Sequence, residues 1–97
     1  MRLMAVSNAV KNLQTALKNL SSNRGDPAMD PGAVDGYVGQ KTMSALARAF
    51  FMLPGIPYKS AVSTAIQLAI VKGAGSSVWE QAKSAIVQYA AAMAAVI

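Results

Sequence analysis

The chain has 97 residues, 54% of them apolar, which is enough for one hydrophobic core and too little for two domains. It contains no Cys and no His and only four acids, Asp26, Asp30, Asp35 and Glu80, so disulfide frameworks, His-based triads and most metal sites are excluded. Nine Lys and Arg give a formal net charge of +5. That balance favours acidic partners in general, yet the cations are spread evenly without aromatic interleaving, and no nucleic-acid site is expected.

Residues 1 to 8 show no continuous apolar run of the kind that opens a secretory signal. The expectation is synthesis in the cytoplasm, with action at a cell wall or in a virion or secreted assembly reached by lysis or a dedicated route.

Leu3, Val6, Val10, Leu13, Leu17 and Leu20 recur at steps of three and four, which predicts a first amphipathic helix of about five turns. Ser21 to Ala33 (SSNRGDPAMDPGA) carries two Pro and two Gly and reads as an ordered or partly mobile surface loop. Its Arg24-Gly25-Asp26 spells an integrin-type tripeptide, read as coincidence.

Asp35, Gly36 and Gly39 read as a turn that feeds a helix, with φ > 0 expected at both glycines and an Asx-turn at Asp35. Val34, Tyr37 and Val38 are expected to pin this turn against the helices, and Thr42 to stand in the first helical turn. A second helix is predicted over Gln40 to Met52, with Thr42, Ala45, Leu46, Ala49, Phe50 and Leu53 inward. Pro54 and Pro57 end it. A third helix follows from Lys59 to Lys72 with the stripe Val62, Ala65, Ile66, Ala69 and Ile70, and Gly73 closes it.

Ser77 and Glu80 have capping-box spacing, which starts a fourth helix near Val78 that runs to the end. Its seam is Trp79, Ala82, Ile86, Tyr89 or Ala90, Met93 and Ile97. From Ala90 onward every residue is apolar, but eight residues of helix span about 12 Å, and no membrane span is predicted. Ala90, Met93 and Ile97 are expected to pack inward, leaving Ala91, Ala92 and Val96 as an apolar strip for a second copy or another protein.

The helix with Val10, Leu13, Gln14 and Leu17, followed by Asp35, Gly36, Gly39 and Thr42 and then by Ala45, Leu46 and Phe50, resembles the small helical peptidoglycan-binding domain of cell-wall hydrolases. The resemblance covers residues 3 to 53. It implies an all-α fold, with a ligand groove beside the D-G-x-x-G-x-x-T turn. On this basis the whole chain is expected to be a single domain, a compact orthogonal bundle of about four helices, with residues 58 to 97 adding the last two.

The candidate ligand-binding set is Gln14, Asp35, Gly36, Tyr37, Gly39 and Thr42. Gln14, Asp35 and Thr42 also suit a purely architectural role, Gln14 tying the first helix to the loop. Tyr37 suits either a sugar contact or a half-buried anchor. Trp79 fits core packing better than sugar stacking. Glycoside hydrolysis commonly needs a pair of carboxyl groups. Glu80 and Asp35 are each explained by local structure, so no catalytic residue, cofactor or metal is expected. The expected function is non-catalytic peptidoglycan binding; the alternative is a structural or assembly protein, such as a virion component, that uses the last helix for contact. DNA binding ranks below both.

Overall fold

The computed structural model describes residues 7–97 and is all-α, a bundle of four helices. The helices are α1 (Asn8–Arg24), α2 (Gln40–Met52), α3 (Lys59–Lys72) and α4 (Ser77–Ala94). They form a ring: α1 packs on α4, α4 on α3, α3 on α2, and α2 closes back onto α1 and the 3₁₀ turn between them. One core fills the ring, with Leu13 and Leu17 from α1, Leu46 and Phe50 from α2, Val62 and Ile66 from α3, and Ile86 and Met93 from α4 all essentially inaccessible. Fully burying a side chain of this size is worth about 1.5–3 kcal/mol.

Helix α1 starts at Asn8, where the Ser7 hydroxyl accepts the Val10 N–H at 3.2 Å. The predicted seam positions Leu3 and Val6 lie outside the described residues. The helix also runs one turn further than predicted. Ser21 to Arg24 are helical, because the reversal occurs at Gly25, whose left-handed φ of 62° lets its N–H bond back to the Ser21 and Ser22 carbonyls.

The following segment is an ordered loop that also carries a 3₁₀ turn and a core residue. Asp26 caps a 3₁₀ turn (Pro27–Met29) by accepting the Ala28 N–H, and Met29 is driven into the interior at 0% exposure. The Ser21 hydroxyl donates to the Asp26 carbonyl at 2.8 Å, and Arg48 Nε donates to Asp26 Oδ2 at 3.0 Å. The Arg24-Gly25-Asp26 tripeptide is therefore occupied by a helix cap and an ion pair.

Helices α2 and α3 have the predicted limits. Met43 joins the predicted inward face of α2, whereas Ile70 of α3 is exposed because α3 buries only the arc of Val62, Ile66 and Ala69. Tyr58, just before α3, is the only non-glycine residue at positive φ among the described residues (60°), and its ring stacks on Tyr89 of α4 at 4.1 Å between centroids.

The cap of α4 is Ser76, not Ser77. Its hydroxyl accepts the Trp79 N–H at 3.2 Å and donates to the Gly73 carbonyl at 2.8 Å. The Ser77–Glu80 box does not form, and Glu80 instead lies 3.8 Å from Lys83. Trp79 is core, as are Ala90 and Met93, while Ile97 packs against the core partly buried. The helix ends at Ala94.

Candidate functional site

The centre of the candidate site is a side chain that no ligand can reach. Gln14 projects from α1 at 1% exposure into the turn before α2. Its Oε1 accepts the N–H groups of Asp35 (3.0 Å) and Gly36 (2.9 Å). Its Nε2 donates to the Tyr37 carbonyl (2.9 Å), the Thr42 Oγ1 (3.1 Å) and the Asp35 Oδ1 (3.2 Å). Three acceptors around two hydrogens means that one hydrogen is shared. One carboxamide thus satisfies backbone groups on both sides of the turn and ties them to two helices.

The turn closes on itself as well. Asp35 Oδ1 accepts the Tyr37 N–H at 3.0 Å, which completes the expected Asx-turn, and Gly36 sits at φ 80°. The Gly36 carbonyl accepts the Ser7 N–H at 3.3 Å, fastening the turn to the cap of α1. Gly39 departs from expectation: its φ is −110° and ψ −172°, extended backbone open to any residue. It is the N-cap of α2 and supplies no side-chain acceptor, so the first-turn N–H groups of α2 lack a side-chain cap.

Beside this turn lies a shallow groove of about 290 Å³, lined by Pro31, Ala33, Asp35, Tyr37, Gly39, Gln40, Lys41 and Thr42. Asp35, Tyr37 and Gly39 of the candidate set are brought together and exposed on it, whereas Thr42, though on its lining, is 2% exposed and bonded to Gln14. Gln14 and Gly36 are buried behind it and act only as supports. Of the three residues expected to pin the turn, only Val38 is buried. Val34 and Tyr37 stand out at 37% and 44% exposure, so the Tyr37 ring is available rather than used as an anchor.

Lys41 is the groove residue that motif reasoning missed, although it lies inside the motif at an unspecified position. Its stem runs across Gly32, where an added Cβ would meet Lys41 Cδ at 3.2 Å. Gly32 is held in turn by Asp30, whose Oδ1 accepts its N–H (2.8 Å) and pairs with Lys18 Nζ (3.1 Å).

The Gly32 N–H and the Lys18 ammonium hold the Asp30 carboxyl below the ordinary carboxylate range. The Tyr37 N–H and the Gln14 amide do the same for Asp35. Both are anions near neutral pH, so the groove offers a carboxylate, an ammonium, a phenol ring and helix N–H donors. Among the described residues, no three acids lie close enough together to hold a metal ion.

Ala91 and Ala92 of α4 and Val96, just beyond its end, are exposed as predicted, and none of the three lines the groove. No helix among the described residues is long and apolar enough to cross a membrane. Compared with protein-family models, curated proteins and solved structures, the chain matches none.

Proposed function

We propose that the protein is a non-catalytic peptidoglycan-binding module that acts at the bacterial cell wall, whether from a virion or a secreted assembly. The observation that carries this reading is the Gln14-braced turn, which fixes a half-exposed Tyr37 beside Lys41 on the rim of a groove. Peptidoglycan presents amino sugars with one apolar face and stem peptides with carboxylates. The Tyr37 ring suits the first, and Lys41 with the uncapped start of α2 suits the second. The buried amide takes up the Asp35 carboxylate and the Tyr37 carbonyl, and the Tyr37 ring itself stays exposed.

Purified sacculi test the reading directly. The protein should co-sediment with them, beside a charge-matched control that does not, and Tyr37→Ala should weaken retention while melting at the same temperature. Absence of wild-type sedimentation would overturn the proposal.

A second reading, an assembly protein such as a virion component, is favoured by the α4 strip. Ala91, Ala92 and Val96 face solvent with no polar side chain, and such a face normally has a partner. Val96→Glu, at a position 55% exposed, should preserve the fold and shift an oligomer or partner complex toward monomer. A monomer at every concentration, with a variant that unfolds, would remove this reading.

A further inference from the structure

At the other end of α2, about 12 Å along the helix from Thr42, a second groove of about 250 Å³ opens between α2 and α3. Ala47, Phe50 and Phe51 form one wall, and Lys59, Ser63 and Gln67, successive turns of one α3 face, form the other. Phe51 is 77% exposed, a large ring presented to water while its neighbour Phe50 fills the core.

That ring is held in place. The Arg48 guanidinium lies 5.6 Å from its centroid, and Arg48 is itself fixed by the ion pair to Asp26, which the Ser21 hydroxyl and the 3₁₀ turn lock in turn. Aromatic side chains, Phe among them, and Arg are enriched in protein interfaces. Rigid placement lowers the entropy cost of docking.

Size and charge specify the occupant. The groove of about 250 Å³ has room for one inserted side chain. Residues 36 to 79, which include both groove helices, contain no Asp or Glu, and Lys59 is in none of the ion pairs among the described residues. We infer that the α2–α3 groove docks an acidic peptide segment of a partner protein, which inserts one apolar side chain against Phe51 and sets a neighbouring carboxylate on Lys59. The site is distinct from the turn groove, and its test does not involve peptidoglycan.

The probe is a fluorescein-labelled nonapeptide with a central Phe flanked by Asp, compared with versions carrying central Ala or flanking Lys. Titration followed by amide NMR shifts should localise to the last two turns of α2 and the first three turns of α3. Phe51→Ala should weaken binding about tenfold or more with an unchanged melt, and Lys59→Glu should reverse the preference for Asp over Lys flanks. Shifts spread over Lys11, Lys18 and Lys72, no shift at about 1 mM probe, or unchanged binding by Phe51→Ala would each overturn the proposal. So would a concentration-dependent dimer of the protein alone that Phe51→Ala abolishes, since a second copy would then fill the groove.

Discussion

Gln14 Nε2 donates to Thr42 Oγ1 at 3.1 Å across 28 residues of chain, and both side chains are almost wholly buried. This contact joins the middle of α1 to the first turn of α2, so the orientation of α2, and with it the groove, depends on a polar side chain inside an apolar core.

Gln14→Leu keeps most of the volume and removes every one of these bonds. It strands the N–H groups of Asp35 and Gly36, and each unsatisfied buried group costs about 1–3 kcal/mol. A loss of about 2–4 kcal/mol corresponds to a fall in melting temperature on the order of 10–20 °C in a domain of this size. A circular-dichroism melt shifted by less than about 3 °C would contradict the bracing role.

Gly36 and Gly39 should behave oppositely. At φ 80° a β-branched residue is strained by on the order of 1–2 kcal/mol, so Gly36→Val should melt several degrees lower. At Gly39 an added Cβ meets nothing within 4 Å and the backbone already has N-cap geometry. Gly39→Ser should supply the missing cap and raise the melt by about 1–2 °C. It should also weaken retention on sacculi by engaging N–H groups that the ligand would use.

Acid should find the turn before neutral pH does. Asp30 and Asp35 have folded-state pKa values below the ordinary 3.8, so their contribution to stability is complete above that value and is lost as pH falls through the lower, folded values. Melting temperature should be insensitive to these groups from pH 8 to pH 5 and drop below about pH 4. Asp35→Asn keeps an acceptor for the Tyr37 N–H and should flatten part of that drop.

Two adjacent serines give a sharp comparison. Ser76→Ala removes the acceptor of the Trp79 N–H and should cost about 1 kcal/mol, whereas Ser77→Ala, one residue inside α4, should stay within ~0.5 kcal/mol of wild type. Equal losses in chemical denaturation would return the cap to Ser77.

The limits of α2 and α3 were legible because Gly39, Pro54, Pro57 and Gly73 bracket clean helical stripes. The Asp35 turn was legible because Asp-Gly has few other uses, and the tie to Gln14 was one of the two roles left open for that residue. Choices decided by distant packing were hidden. Met29 lies among Pro, Asp and Gly, and only the cover it finds under α1 and α2 makes it core. Ser77–Glu80 spacing is a valid box, but the Gly73 carbonyl selects Ser76. Gly39 adopts extended backbone because it leads into a helix, a demand that any residue can meet. Phe51 differs from Phe50 only by which face of α2 it occupies.

The left-handed backbone of Tyr58 costs on the order of 1 kcal/mol, and a stacked aromatic pair returns about 0.5–1.5 kcal/mol. The two nearly cancel only with Tyr89 in place, so the corner between α2 and α3 leans on α4 as well. The core tells the same story, because Leu46 and Phe50 share one cluster with Val62, Ile66, Ile86 and Met93. Residues 3 to 53, the stretch with the recognisable turn, are therefore not a portable cassette. Grafted alone onto another protein, they would carry the motif without the shape that gives it a groove.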